Sequence, residues 1–196
     1  MTHLLGLTGS IGMGKSTTAQ MFRDAGIPVW DADAAVHEIY GKGGAAVPFF
    51  QEQLPKAVVD GEVSRTALKE LLALDPSVMK TLEDIVHPLV AAHRATFLAQ
   101  QDAPLVVFDI PLLFETNAQD WLTSVLVVSA PPDVQKQRVL ARGQMSEAIF
   151  QQILSRQMPD AEKRARADYI IETLTLDDTR AAVQKLIAEL TGQKYA

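Results

Sequence analysis

Residues 9–16 read Gly9-Ser10-Ile11-Gly12-Met13-Gly14-Lys15-Ser16, the G-x-x-x-x-G-K-[ST] spacing of a phosphate-binding loop. What lies on each side decides the reading. Leu4-Leu5-Gly6-Leu7-Thr8 before it is short and apolar, as a buried strand is, and residues 17–25 after it read as a helix. Such a strand–loop–helix unit curls glycine-rich backbone around an anion and aims the positive end of the next helix at it. Lys15 then reaches the β- and γ-phosphates, and the Ser16 hydroxyl is a ligand for Mg²⁺. Residues 9–16 together with Thr17 are the expected contacts of a nucleoside triphosphate.

Moving outward, apolar runs alternate with helical segments. Gly26 stands where a helix C-terminal glycine belongs, and residues 27–30 read as a second short strand ending at Asp31-Ala32-Asp33. Residues 34–40 look helical. Residues 48–100 carry helix-period apolar spacing through Leu68, Leu71, Leu72, Val78, Leu82, Ile85, Val86, Leu89 and Val90, with no strand pattern. Asp75 reads as an N-cap with Pro76 in the first turn, and Pro88 as a break or kink. Leu105-Val106-Val107-Phe108-Asp109 and Val125-Leu126-Val127-Val128 have the unbroken apolar character of strands buried on both faces, and Tyr169-Ile170-Ile171 is a shorter one. Helices are expected near 133–142, 146–157 and 177–190, and one more between the third and fourth strands. The predicted fold is α/β: a three-layer α/β/α phosphate-loop core on a five-stranded parallel sheet, with a helical insertion and a helical lid.

Composition narrows the classes. The 196 residues suit one α/β domain with an insertion, and 47% hydrophobic content supports a sizeable core. There is no cysteine, which excludes a disulfide scaffold, a thiolate metal site and a cysteine nucleophile. No segment reads as a signal peptide or reaches the roughly 18 apolar residues of a membrane span. A formal net charge of −6 argues against general nucleic-acid binding. A GTP-driven switch would need D-x-x-G and N-K-x-D motifs, and neither occurs.

Local charge is uneven. Residues 136–166 hold seven basic side chains (Lys136, Arg138, Arg142, Arg156, Lys163, Arg164, Arg166) against three acidic ones (Glu147, Asp160, Glu162), a net +4. Either these are solvated helix faces or phosphates are met there. Arg138 and Arg142 are four apart and share a helix face, and Gly143 ends that helix. Two helices projecting arginines over a phosphate loop would form a water-excluding lid, with Arg142 the best phosphate contact and Arg164 and Arg166 surface charges. Ligands of a parallel α/β sheet bind beyond the carboxyl ends of its strands. Asp31, Asp33 and Asp109 stand there. Asp31 and Asp33 can cap the following helix, but Asp33 is the candidate to meet an acceptor hydroxyl. Asp109 is a candidate Mg²⁺ carboxylate, directly or through water.

The ordered series of motifs resembles the dephospho-CoA kinase family. It runs through Leu7 and Thr8 into the phosphate loop, then Asp31-Ala32-Asp33, Asp60-Gly61-Glu62-Val63-Ser64-Arg65 and His87-Pro88-Leu89-Val90. It continues through Asp109-Ile110-Pro111-Leu112-Leu113-Phe114-Glu115, residues 135–142 and residues 157–171. The large insertion and the His-Pro-Leu motif set it apart from adenylate- or shikimate-type kinases. The resemblance implies ATP as donor, Mg²⁺ as cofactor and dephospho-CoA as acceptor in a cytoplasmic enzyme, a monomer or small homo-oligomer. It implies a nucleotide core at 1–33 and 104–196, including a lid near 136–166, and an acceptor-binding insertion near 34–103. Asp33 would be the base on the ribose 3′-hydroxyl, Lys15 the phosphate clamp and Arg142 a lid arginine, with Arg138 also on the ATP side. Arg65, His87 and Glu115 fall in acceptor-side motifs; His87 can equally be a packed helix-bending residue, and Glu115 can position arginines or cap a helix. Three departures stand out: Met13 replaces the usual Ser or Thr, Gly143 follows Arg142 where Asp or Asn is usual, and residues 172–175 lack the usual Asn and Gly of the adenine-side loop.

Overall fold

Alternating apolar and amphipathic segments become strands and helices in the computed structural model, which describes residues 2–143 and 145–192. In chain order the first elements are β1 (His3–Thr8), α1 (Lys15–Asp24) and β2 (Val29–Asp31). There follow α2 (Ala32–Tyr40), α3 (Val47–Gln53), β3 (Val58–Val59), β4 (Glu62–Val63), α4 (Arg65–Leu74) and α5 (Val78–Ala99). The chain then runs through β5 (Leu105–Asp109), β6 (Ser124–Ser129), α6 (Pro132–Ala141), α7 (Glu147–Leu154), α8 (Asp160–Arg166), β7 (Tyr169–Glu172) and α9 (Leu176–Thr191). Two compact units result: Met1–Trp30 with Gln101–Ala196, and Asp31–Gln100.

The first unit is built on a five-stranded sheet in the order β2-β5-β1-β6-β7, and β1 runs parallel to both β5 and β6. Leu5, Leu7, Val107, Leu126 and Val128 are buried together with Met21, Phe22, Val183 and Leu186 from α1 and α9. Every residue of β5 and β6 is buried, which is why these strands are apolar runs without alternation. The register sets Leu7 beside Asp109, so the loop leaving β1 begins next to that carboxylate.

The second unit has its own core of Ile39, Tyr40, Phe50, Val63, Leu68, Ile85 and Val86. The insertion is not wholly helical. β3 and β4 pair as an antiparallel hairpin, Val58 opposite Val63 and Val59 opposite Glu62. Asp60 (φ 53°) and Gly61 (φ 82°) make its two-residue turn, the doubly left-handed geometry for which Asp-Gly is favoured. Strands of two residues are too short to show alternation, so helical spacing on both sides hides them.

Other expectations need correction. Between β5 and β6 there is no α-helix, only a 3₁₀ turn at Ala118–Trp121, because Asn117 takes a left-handed conformation (φ 54°). An additional helix, α8, lies after α7. Its acidic Asp160 and Glu162 fall in the first turn and Lys163, Arg164 and Arg166 in the last, matching the helix dipole. α5 continues unbroken through Pro88, with Ile85, Val86, Leu89 and Val90 packed on both sides of it. Ser77 occupies the N-cap position of α5, and Asp75 instead accepts the Ser77 N–H at 2.9 Å. Gln144, in the α6–α7 connection, lies outside the described residues.

Candidate active site

The phosphate loop leaves β1 and enters α1 through Gly14 (φ 89°). Gly12 (φ 78°) and Gly14 are left-handed, and neither has room for a side chain: a Cβ on Gly12 would fall 2.6 Å from Val139 Cγ2, and one on Gly14 2.9 Å from Thr173 Oγ1. The first N–H groups of α1 have no intrahelical carbonyl and face the loop as anion donors. Ser16 and Thr17, in that first turn, are exposed.

Long-range polar contacts clamp the loop from behind. Ile11 is gripped twice: its N–H donates to Gln157 Oε1 at 3.2 Å and its carbonyl accepts from Gln135 Nε2 at 2.7 Å. The Met13 carbonyl accepts from Thr173 Oγ1 at 2.8 Å, and the Met13 sulfur accepts the Ala130 N–H at 3.0 Å. Met13 is buried and its N–H donates to the Ser10 carbonyl at 3.1 Å. The Met13 N–H is therefore a donor to the loop itself. Gln135, Gln157 and Thr173 escape a reading of the sequence because their partners lie more than a hundred residues away, with no local signal at either end.

Lys15 Nζ lies 2.5 Å from Asp109 Oδ1, the lysine half-buried and the carboxylate only 4% exposed. Thr8 Oγ1 donates to the Pro111 carbonyl at 3.1 Å and fastens the end of β1 to the segment after β5. The two groups read from sequence as phosphate clamp and metal carboxylate thus meet in one place.

Most of the basic segment is engaged with protein. Lys136 pairs with Glu147, Arg166 with Glu162, and Arg164 with Glu172 at 3.2 Å. Lys163 is fully buried, its Nζ 2.9 Å from Glu115 Oε1 as an ion pair outside hydrogen-bond alignment. Glu115 also accepts the Met158 N–H at 2.9 Å. Burial pushes its carboxyl upward, but the Met158 N–H and the Lys163 ammonium outweigh that and hold it below the usual carboxylate range. Glu115 therefore meets a lysine and a backbone N–H in this unit, neither an arginine nor the start of the next helix.

Arg138 donates to Thr173 Oγ1 at 2.9 Å, to the Thr173 carbonyl, and to the Leu174 carbonyl at 3.4 Å. Arg142 is exposed, and its side chain makes no hydrogen bond or ion pair with the described residues. Arg138 and Arg142 line a cleft of about 250 Å³ with Gly12, Gly14, Thr17 and residues 173–176.

The remaining candidates belong to the other unit. Asp31 caps α2, its Oδ1 accepting the Ala34 N–H at 2.9 Å. Asp33 is exposed in the first turn of α2, and its carboxylate has no partner among the described residues. Arg65 opens α4 behind the Ser64 cap, and its charge acts on Tyr40, whose phenol burial pushes upward. His87 is exposed on α5, not packed. No group of three or more His, Asp or Glu residues that could hold a metal ion occurs among the described residues, and none of their helices is long and apolar enough to cross a membrane.

Comparison with known proteins closes the question of kinship. The model of the dephospho-CoA kinase family matches residues 3–178. A dephospho-CoA kinase of Ruegeria pomeroyi is 56% identical over 190 residues, covering 97% of this chain and 96% of that protein. A crystal structure from Thermus thermophilus superposes with a TM-score of 0.82 at 40% identity, over 97% of this chain and 99% of that one. The dephospho-CoA kinase of Campylobacter jejuni gives a TM-score of 0.70 at 26% identity, with 98% of both chains covered. With the family model spanning nearly the whole chain and these relatives matched end to end, the chain belongs to the dephospho-CoA kinase family.

Proposed function

We propose that the chain transfers the γ-phosphoryl group of ATP to the ribose 3′-hydroxyl of dephospho-CoA, giving coenzyme A and ADP. The observation that carries this is the near-complete match to dephospho-CoA kinases combined with an intact phosphate loop whose lysine lies against Asp109. Phosphoryl transfer asks the protein chiefly for positioning and for positive charge on the phosphates. Lys15 and the N–H groups at the start of α1 supply the charge on the β/γ side. Arg142, with no partner among the described residues, is the cation to meet the transferring group, and residues 136–166 form the lid that keeps water out. Asp33, exposed and without a partner among the described residues, orients the acceptor hydroxyl and takes its proton. Residues 34–103 bind dephospho-CoA, with Arg65 and His87 as contacts.

The donor set suits Mg²⁺. That ion takes oxygen ligands, keeps several waters and leans on substrate phosphates, so one hydroxyl and one carboxylate suffice. Ser16 and Asp109 would hold it, Asp109 directly or through water, and it would neutralise charge on the β- and γ-phosphates. A cysteine-free chain using ATP fits the cytoplasm.

The test is ADP formation from Mg-ATP by the purified protein with and without dephospho-CoA. Strong stimulation with coenzyme A as product establishes the reaction. ATP binding without stimulation overturns the acceptor and keeps the nucleotide site.

A further inference from the structure

We propose that Arg138 is a positioning residue for the nucleoside side of the site, fastening residues 173–174 beside the phosphate loop, and is not a phosphate ligand. The inference rests on the chain being an ATP-using enzyme.

The contacts of Arg138 carry it. Its two terminal nitrogens reach three neutral oxygens: Thr173 Oγ1 at 2.9 Å, the Thr173 carbonyl, and the Leu174 carbonyl at 3.4 Å. The fork that would clasp a phosphate is already occupied by one stretch of backbone. Thr173 passes the restraint on. Its hydroxyl donates to the Met13 carbonyl inside the phosphate loop at 2.8 Å, and its N–H donates to the Ser129 carbonyl at 2.9 Å. Its side chain is also what fills the space next to Gly14. α6, residues 173–174 and the phosphate loop are thus joined through one guanidinium and one buried threonine.

The cleft beside this strut is of the right kind. Gly12, Gly14 and Thr17 line it together with Leu174, Thr175, Leu176 and Thr179. Apart from Arg138 and Arg142 its lining is uncharged, so away from those two cations it suits a neutral, partly polar group such as a base and its ribose. If Arg138 holds residues 173–174 in the lining of that cleft, its loss loosens the grip on the nucleoside and leaves the grip on the phosphates intact.

Lysine separates the two roles. A phosphate accepts a lysine as a point charge in place of arginine, whereas one ammonium cannot span a hydroxyl and two carbonyls in a fixed plane. Binding of ATP and of inorganic tripolyphosphate would be measured for the wild type, R138K, R138A, T173V and the R138A/T173V double variant. Lys15→Met would set the scale for a lost phosphate contact, and thermal unfolding would confirm that each variant folds. R138K and R138A are each expected to weaken ATP by about tenfold while tripolyphosphate binding stays unchanged. T173V should weaken ATP as well, and adding it to R138A should cost little further ATP affinity, since both changes cut one strut. Because the Thr173 hydroxyl also holds the Met13 carbonyl, tripolyphosphate is the discriminating probe for the Arg138 variants only. ATP affinity retained in R138K, tripolyphosphate weakened in parallel with ATP in R138K or R138A, or independent effects of R138A and T173V on ATP would each overturn the proposal. Should R138A not fold, R138K carries the same comparison. Failure of the wild type to phosphorylate dephospho-CoA would count against the acceptor alone, because these binding measurements use no acceptor.

Discussion

The two units hold their candidate site residues in opposite ways. In the unit with the phosphate loop the charged ones other than Arg142 are tied down, Lys15 on Asp109, Arg138 on residues 173–174 and Glu115 on Lys163, and Ile11 sits between two glutamines. In the unit of residues 31–100, Asp33, Arg65 and His87 are exposed, and their side chains make no hydrogen bond or ion pair with the described residues. The contrast follows from the chemistry each must do. Electrostatic stabilisation of a transferring phosphoryl group works through donors fixed beforehand, so their supports are built into the fold. Side chains without protein partners keep their hydrogen-bonding capacity whole for a ligand. Substitutions at the tied residues should therefore disturb stability, and those at the unpartnered ones chemistry alone.

The deepest loss is expected at Lys15. Lys15→Met removes the phosphate clamp and strips a nearly buried carboxylate of its ammonium, so turnover should fall by about 10⁴-fold. Thermal unfolding should fall with it. Asp33→Asn comes next. A positioned general base contributes about 10³-fold, so kcat should drop by that order while KM for ATP and the unfolding temperature stay where they were. Steady-state kinetics beside a melting curve checks both, and an Asp33→Asn protein that also melted early would break the contrast.

How much of this the sequence discloses depends on distance along the chain. The phosphate loop, Lys15 and the burial of β5 and β6 follow from residues that are neighbours, so spacing and apolar runs reveal them. The short hairpin at Val58–Val59 and Glu62–Val63 was in principle legible, since Asp60-Gly61 between valines is a turn signal, yet two-residue strands vanish among helical spacings. Pro88 argued for a break that packing on both sides overrides. The clamps behind the loop were not legible. Gln157 and Ile11 are 146 residues apart, and nothing local marks a surface-like glutamine as the partner of a loop N–H. The positive segment at 136–166 misled in part, because its partners Glu115 and Glu172 lie outside it.

Lys163 sharpens the contrast from the stability side. Lys163→Ala leaves Glu115 without its buried ammonium, a change that costs about 3 kcal/mol in urea unfolding at neutral pH. The pH response has a definite sign. Glu115 lies below its ordinary 4.5 in the folded protein, so its contribution is complete above that value and is lost as pH falls through the lower folded one. In Lys163→Ala the folded carboxyl loses a stabilising cation and its pKa rises toward the ordinary value, so the window between the two narrows and the acid-side loss of stability should shrink. An unchanged acid limb would show that the Met158 N–H alone holds Glu115 down.

The smallest effect tests the finest distinction, between two aspartates two residues apart. Asp31 accepts the Ala34 N–H at the start of α2, whereas Asp33 lies within the first turn and is exposed. Asp31→Ala should cost about 1 kcal/mol, the worth of an N-cap, and so lower the melting temperature by roughly 2–4 °C in a chain of this size. Turnover should change by less than about threefold, the rest of α2 being held by the Ile39 and Tyr40 packing. Asp33→Ala should invert the pattern, with little change in melting and a large fall in turnover. If Asp31→Ala lost as much activity as Asp33→Ala, both carboxylates would belong to the chemistry. The division between a structural acid and a chemical one, which rests on a single hydrogen bond to Ala34, would then be wrong.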